Sequence, residues 1–239
     1  TDAITHASWL LYKGHRVSWE WNHEYVGENF IADVGFAPRL YNYDAKNNVV
    51  NRKSYWRYEP VFNYYFYPKS KSISYIDDEL HGSLYLDKSY NTTEQNWRAA
   101  STIYFKSSAT ATLALEKNLV RLIYETSITG NMDTLLVPGI YNWNTIALNG
   151  NTNTRKKINA TGGIQYGGFY SGTKLSYSLC LVWRTQPWGI WSINFNEDKV
   201  DLPEPDGPMM ATYSPRLITR STPFNACTNS PPTLKVRVM

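Results

Sequence analysis

The sequence contains no long apolar run. No stretch approaches the roughly 18 consecutive apolar residues of a membrane-spanning helix, and the mean hydropathy is −0.45. A helical membrane span is therefore excluded, whereas strands that present only every second residue to lipid are compatible with such a sequence. Charge is also scarce, because Asp, Glu, Lys and Arg make up only 18% of the 239 residues, below the roughly 25% of average soluble proteins.

Motifs for metal, nucleotide and nucleic-acid chemistry are missing as well. The two cysteines, Cys180 and Cys227, allow at most one disulfide and give no metal-ligand spacing, and the four histidines are scattered. No glycine-rich loop is followed by the lysine that a phosphate-binding loop requires. The net charge of +4 is spread too thinly for a phosphate-backbone stripe. We therefore expect no cofactor, no metal and no nucleic-acid partner.

Two acidic clusters raise the question of catalysis, because sugar hydrolases work with a facing pair of carboxylates. The Asp-Asp-Glu run at 77–79 places neighbouring side chains on opposite faces of an extended chain, so the three cannot converge. The second cluster, at 197–204, offers no identifiable acid–base pair. We assign no catalytic residue and favour a non-catalytic role, with a glycoside hydrolase-associated protein as a weaker alternative.

Aromatic residues are abundant, at 15% of the chain with 19 Tyr and 9 Trp. From Arg16 to Tyr25 they alternate with polar residues, which indicates a strand with one apolar and one polar face. Segments of about ten residues with this pattern recur along the chain, and ten residues suffice for a tilted strand to cross a bilayer. Tyr and Trp on the apolar positions are typical of membrane barrels, whose rings lie at the level of the lipid headgroups.

Polar turns divide residues 1–202 into candidate strands. After 16–25, the alternation continues at 30–36, 55–67, 80–86, 97–105, 109–116, 119–126, 140–148, 158–166, 175–184 and 188–196. Pro60 predicts a bulge or a strand end, and 114–117 allows a helical turn although strand is favoured. Because an open sheet of this size leaves two edges, the predicted fold is all-β: an antiparallel meander of about nine or ten strands that forms an incomplete transmembrane β-barrel.

The character of the sequence changes after Leu202. Prolines occur at 203, 205, 208, 215, 223, 231 and 232, with little alternation between them. Because proline cannot donate to a strand ladder, residues 203–239 are predicted to be an irregular proline-rich tail, and we treat this tail as a candidate for non-native sequence.

The aromatic residues on the apolar positions allow three interpretations: a sugar-stacking platform, a sheet core, or a lipid-facing girdle, which we favour. The girdle or sugar-stacking candidates are Trp19, Trp21, Tyr25, Trp56, Tyr58 and Trp183. On this interpretation the polar positions face the lumen of the barrel. The lumen-facing candidates are Arg57, Glu59, Lys174 and Arg184.

Six short motifs occur in one order along residues 14–205. They are Gly27-Glu28-Asn29-Phe30, Val34-Gly35-Phe36-Ala37-Pro38-Arg39, Tyr64-Tyr65-Phe66-Tyr67-Pro68, Ser171-Gly172-Thr173-Lys174-Leu175-Ser176, Arg184-Thr185-Gln186-Pro187-Trp188-Gly189 and Val200-Asp201-Leu202-Pro203-Glu204-Pro205. In this order they resemble a Bacteroidetes-type outer-membrane β-barrel domain of poorly defined function, which usually follows an N-terminal family-nine carbohydrate-binding module.

The resemblance implies a location in the bacterial outer membrane, outer-membrane lipid as a partner, and a role in binding or uptake of a polysaccharide or oligosaccharide. In the family, aromatic strands continue past the last motif, whereas here proline-rich sequence runs to Met239. We therefore expect a truncated, frame-shifted fragment. The competing interpretation is a soluble, secreted β-sandwich that binds polysaccharide through exposed aromatics.

Overall fold

A computed structural model of the chain describes residues 2–32, 37, 39–44, 46–127, 135–185, 187–204, 207–212 and 216–221. Within these ranges the regular elements are all strands, so they include no helical candidate for a membrane span. The strands are β1 (Thr5–Lys13), β2 (Val17–Val26), β3 (Tyr41–Asp44), β4 (Val49–Arg52), β5 (Tyr55–Phe66), β6 (Ile73–Leu86), β7 (Thr92–Phe105), β8 (Thr110–Leu122), β9 (Thr126–Ser127), β10 (Leu135–Leu136), β11 (Gly139–Asn151), β12 (Ile158–Phe169), β13 (Gly172–Thr185), β14 (Gly189–Glu204), β15 (Gly207–Thr212) and β16 (Arg216–Ser221).

Twelve of these strands form one antiparallel sheet in the order β1-β2-β5-β6-β7-β8-β11-β12-β13-β14-β15, and β16 also pairs with β14. Two short hairpins, β3–β4 and β9–β10, are separate. The predicted all-β antiparallel meander is confirmed. Among the described residues β1 pairs only with β2, so the sheet is not closed into a barrel.

The sheet has more strands than the nine or ten predicted, and their bounds differ. Strand β1 was not predicted, because its alternation of apolar and polar residues is broken. Apolar residues occupy both of its faces at Trp9, Leu10, Leu11 and Tyr12. The two segments predicted at 109–116 and 119–126 merge into one strand, β8, which ends at Leu122, whereas Thr126 belongs to the short strand β9. The predicted strand at 30–36 is wrong where the structure describes it, since residues 30–32 belong to no strand. Residues 33–36 lie outside the described part.

Two local predictions concern the regularity of strands. Pro60 neither ends nor bulges β5: it pairs with Trp21, and the register with β6 is the same on both sides of it. The pairings of Glu59 and Pro60 with β6 are absent from that ladder, as the missing N–H of proline requires. The segment 114–117 lies within β8, which confirms strand over helix.

In the described ranges beyond residue 202, which are 203–204, 207–212 and 216–221, the backbone forms strands and differs from the predicted irregular tail. The rest of the predicted tail, including 222–239, lies outside the described part. Strand β14 runs through Pro203 to Glu204, and β15 and β16 each pair antiparallel with it. Pairing with a long neighbouring strand has overridden the local effect of the prolines at 203 and 208.

Directly paired residues share one face of a sheet, so the registers define two faces throughout the large sheet. One paired row, for example, runs through Phe66, Ile76, Ile103, Ala111, Gly150, Gly162, Leu179 and Phe195. We call the face that carries this row the apolar face. The opposite polar face carries most of the charged, amide and hydroxyl side chains of the sheet.

The polar face is the more buried of the two. Its buried residues include Ser18, Asn159, Val182 and Ser192, and three alanines side by side on adjacent strands, Ala100, Ala114 and Ala147. On the apolar face, by contrast, Leu115 is 54% exposed. This distribution indicates a sheet that curls around its polar face and turns its apolar face outward.

The alanine row makes a specific prediction about packing. Ala114 is 1% exposed between Ala100 and Ala147, so Ala114→Leu should overpack the inner face and lower the free energy of unfolding by about 1–3 kcal/mol. Urea titration followed by circular dichroism measures the change. The matched control is Leu115→Phe on the next, outward residue, which should change stability by less than about 0.5 kcal/mol; equal effects of the two variants would contradict the assignment of faces.

Candidate functional site

The two ends of the sheet differ in their connections. At one end, which we call the turn end, strands are joined by residues 14–16, 67–72, 106–109, 152–157 and 186–188. At the opposite end, the loop end, the connections are 27–54, 87–91, 123–138, 170–171 and 205–206. The two longest connections of the sheet, with the hairpins β3–β4 and β9–β10, both belong to the loop end.

Aromatic residues on the apolar face form two belts, one toward each end of the strands. The loop-end belt is Tyr25, Trp56, Tyr58, Trp97, Tyr166, Tyr177 and Phe195, and the turn-end belt is Tyr12, Trp19, Tyr64, Phe66, Trp183 and Trp191. Between them the face is mainly aliphatic, with Leu80, Leu115, Ile146, Leu181 and Ile193 among its exposed residues.

The six aromatic candidates named from the sequence all lie on the apolar face. Tyr25, Trp56 and Tyr58 belong to the loop-end belt, where the ring centroids of Tyr25 and Trp56 are 4.6 Å apart. Trp19 and Trp183 belong to the turn-end belt. The sixth, Trp21, lies between the belts, with its ring centroid 5.9 Å from that of Tyr58.

The apolar band crosses the strands obliquely. Phe66 ends the band at the turn end of β5, and the paired row that starts there reaches Phe195, which ends the band on the loop-end side of β14 because Glu197 and Lys199 come next. The band is ten residue steps long on β5 (Trp56–Phe66) and four on β14 (Trp191–Phe195), so over seven strand steps it shifts by about 1–1.4 residues per strand. With about 3.3 Å per residue and about 4.8 Å between strands, this shift corresponds to a strand inclination of about 35–45°.

The polar face carries a hydrogen-bonded network that spans five strands. Arg98 on β7 forms an ion pair with Glu79 on β6, and its Nε lies 3.6 Å from an oxygen of Glu116 on β8. Thr145 Oγ1 on β11 donates to Glu116 at 3.3 Å and accepts from Gln165 Nε2 on β12 at 3.5 Å. These contacts tie neighbouring strands together on the inner side of the curled sheet.

The four charged candidates named from the sequence all lie on the polar face. Arg57 forms an ion pair with Glu59, and Lys174 Nζ lies 3.5 Å from Asp198 Oδ2. Arg184 lies near the turn end of the same strand as Lys174, where its backbone N–H donates to Lys157 O at 2.7 Å.

The acidic run at 77–79 is divided between the faces, as the sequence predicts. Asp77 accepts a hydrogen bond from Asn63 Nδ2 at 3.0 Å on the polar face, where Glu79 pairs with Arg98, while Asp78 lies on the apolar face. Across the described ranges, no group of three or more His, Cys, Asp and Glu side chains is placed to hold a metal ion.

At the loop end, the described residues around Leu40 in the connection 27–54 pack over the polar face. Leu40, only 1% exposed, packs with Val26 and Tyr55 in the core cluster, and Tyr85 packs against this cluster. Val26, Tyr55 and Tyr85 all lie on the polar face, so the chain segment that contributes Leu40 covers the loop-end part of that face. Sequence reasoning missed this arrangement because Leu40 stands alone in a polar stretch.

Polar contacts hold the same connection in place. Arg39 Nη2 lies 2.6 Å from Glu94 Oε1 on β7, and its guanidinium lies over the ring of Tyr85 at 5.7 Å. Lys53 donates its backbone N–H to Leu40 O at 2.9 Å and places its ammonium 5.1 Å from the ring centroid of Tyr124.

The N-terminal end of β1 is fixed at the loop end through Asp2. Tyr25 donates its hydroxyl to Asp2 Oδ2 at 2.5 Å, and Lys88 Nζ lies 3.2 Å from the same oxygen. The Tyr25 hydrogen bond, followed by the contact with Lys88, lowers the pKa of Asp2 below its ordinary value of 3.8. The backbone of Asp2 also accepts from Asn29 N at 2.8 Å.

Comparison with known proteins yields no relatives: no family model matches the chain, and no curated protein and no solved structure matches it significantly. The family named from the six sequence motifs therefore stays a prediction.

We predict that Leu40→Ala loosens the connection 27–54. Removing a side chain this deeply buried should cost about 2–5 kcal/mol of local stability, so the Lys53 amide should exchange faster and protease should cut at 46–48 sooner. Val50→Ala is the control, because Val50 is 55% exposed in the same connection and should change neither readout. Unchanged protection in Leu40→Ala would show that Leu40 does not anchor the segment.

The Asp2 contacts predict a pH dependence. Because the folded-state pKa of Asp2 is lowered, its stabilising contribution is fully present above its ordinary value of 3.8 and is lost as the pH falls through the lowered pKa. At about pH 7, Asp2→Asn should therefore reduce hydrogen-exchange protection of the Asn29 amide, and the difference from the unaltered chain should disappear at the acid end. A difference that grows on acidification would contradict this sign.

Proposed function

We propose that this sheet is the wall of a bacterial outer-membrane β-barrel. Its apolar face contacts lipid, its polar face lines the interior, and its work is non-catalytic: the binding or uptake of carbohydrate at the cell surface.

The oblique apolar band between two aromatic belts is the observation that carries this proposal. A strand inclination of about 35–45° lies within the range of membrane barrels. On β5 the band runs from Trp56 to Phe66, a distance of about 33 Å along the strand and about 23–27 Å in height at that inclination. The lipid-facing zone of such barrels is about 25 Å tall and is flanked by aromatic girdles. The strand inclination, the height of the apolar band and the two aromatic belts therefore agree with the geometry of an outer-membrane barrel.

The exposure of the apolar face favours a barrel over a soluble sandwich. A sandwich buries its apolar face against a second sheet about 10 Å away. Here twelve of the sixteen described strands belong to one sheet, and they leave Ile146, Leu181 and Ile193 more than one-third exposed. Lipid would cover these side chains. Barrel closure would also provide a partner for β1, which pairs only with β2 in the described part of the chain.

The asymmetry of the connections supports an orientation. Outer-membrane barrels have short periplasmic turns and longer extracellular loops, so the loop end corresponds to the cell exterior. There the connection 27–54 is anchored over the polar face by Leu40 and Arg39. A covered entrance supports selective binding or passage rather than an open pore. The carbohydrate role is supported by the resemblance of the six motifs to a domain that follows a sugar-binding module.

Adjacent substitutions on β11 test the lipid-facing assignment. Ile146 lies in the apolar band and Thr145 on the polar face, so in phosphatidylcholine vesicles Ile146→Arg should lower the free energy of unfolding by about 2–4 kcal/mol. Thr145→Arg should cost less than about 1 kcal/mol, because the interior is wet and Glu116 lies within reach of the new charge. Reversible urea unfolding in vesicles measures both.

A soluble fold predicts a different pattern. If the apolar face were simply exposed to water, Ile146→Arg would be nearly neutral and folding would need no lipid. That result would exclude the barrel.

A further inference from the structure

A concavity on the polar face, between β1, β2 and β5, is a candidate ligand site. It is lined by Ala7, Ser8, Trp9, Asn22, His23, Glu24, Arg57 and Glu59. Trp9 stands out, because this indole lies on the polar face and is nevertheless 63% exposed. The polar face also carries other large aromatic side chains, such as Tyr55, Tyr104 and Trp143, but these are buried or half-buried. Because the polar face is turned away from lipid in the proposed barrel, lipid contact does not explain the exposed Trp9.

The orientation of the Trp9 ring is fixed by its single polar atom. Nε1–H of Trp9 donates to Glu20 Oε1 at 3.0 Å, and the same oxygen accepts from Asn22 Nδ2 at 2.8 Å. Glu20 and Asn22 are two apart on β2 and therefore lie on the same face as Trp9. With its donor committed, the indole has only its flat apolar surface left to offer a ligand.

The other wall of the concavity supplies planar hydrogen-bonding groups. Arg57 forms ion pairs with Glu59 and with Glu24, the latter at 3.6 Å. Asn22 and Glu59 are directly paired across β2 and β5, in the same row as Trp9. The row therefore brings together the ring of Trp9, the amide of Asn22 and the carboxylate of Glu59. The next row of the same face adds Glu24 and Arg57.

These groups match the two kinds of surface of a sugar ring. A pyranose has an apolar face of C–H groups, which stacks on an aromatic ring, and a rim of hydroxyls, which need both donors and acceptors. Charge narrows the class of saccharide further. The lining carboxylates of Glu24 and Glu59, together with Glu20 beside the Trp9 ring nitrogen, outnumber the one guanidinium of Arg57, so an acidic sugar would meet net repulsion.

We propose that this concavity binds a neutral saccharide unit, stacked on Trp9 and hydrogen-bonded by Arg57, Glu59 and Asn22. The inference rests on the proposed function only in that the polar face would be the barrel interior that carbohydrate enters. Saccharide binding itself can be measured without a membrane.

Isothermal titration calorimetry on the refolded full chain tests the site, in detergent micelles and in plain buffer. The probes are maltohexaose and cellohexaose as neutral saccharides, oligogalacturonate as an acidic one, and choline as a cation that could occupy an aromatic and acidic site. We expect one or both neutral hexasaccharides to bind, and oligogalacturonate and choline not to bind. Trp9→Ala should weaken binding by at least about tenfold, while Trp9→Phe, which keeps a flat ring, should stay within about threefold.

Two control variants distinguish the loss of a binding contact from a general disturbance of the fold. Leu11→Ala removes an exposed apolar side chain two residues along β1 on the same face, and Trp21→Ala removes an indole from the opposite face of β2. Both should leave saccharide affinity unchanged, with circular dichroism confirming folded protein in every variant.

The outcomes separate this proposal from the barrel. Folding in micelles with no neutral-saccharide binding, or with equal affinity in Trp9→Ala, overturns the saccharide site and leaves the barrel standing. Preferential binding of choline or oligogalacturonate also overturns it. Folding and Trp9-dependent saccharide binding in plain buffer would retain the site and remove the barrel.

Discussion

The continuous register of the large sheet is the constraint on which the rest of the structure depends. Because side chains alternate with a period of two, a slip of one residue between any pair of strands would exchange the two faces from that strand onward. The antiparallel pairings from β1 to β14 keep one set of side chains together. Trp19 on β2 and Trp183 on β13 therefore share a face although six strands of the sheet lie between them. The hydrogen-bonded network around Arg98 and Glu116 holds this register from the polar side.

The free-energy balance of such a sheet depends on what covers its apolar face. Each fully exposed large apolar side chain forgoes about 1.5–3 kcal/mol of burial, and the apolar face carries many that are partly exposed, such as Leu115, Ile164 and Trp191. A domain is stable by only about 5–15 kcal/mol. Lipid, a second apolar surface or aggregation must therefore cover this face, and the aromatic belts at the two ends of the band are suited to lipid headgroups.

The alternation of apolar and polar residues was sufficient to assign the candidate residues to the faces of the sheet. It was not sufficient to identify the individual residues that form a site. It assigned all ten candidate residues, from Trp19 to Arg184, to the faces on which the registers place them, because parity alone determines a face in an extended strand. It failed for β1, where Trp9 and Leu10 make both faces apolar, and so it missed Trp9. It also missed the burial of Leu40, which arises from contacts with distant strands rather than from any local pattern.

The same limit applies to the chain beyond residue 202. Local propensity predicted irregular structure from the prolines, whereas β15 and β16 gain pairing from the long β14. Tertiary pairing can override a local preference of this size.

The central claim is that the apolar face requires lipid, and far-UV circular dichroism through a thermal melt tests it most directly. The chain is refolded in plain buffer and, in parallel, in phosphatidylcholine vesicles. A cooperative β signal that develops only with vesicles is the predicted result. A cooperative β fold in plain buffer, with no change on adding lipid, would contradict the account.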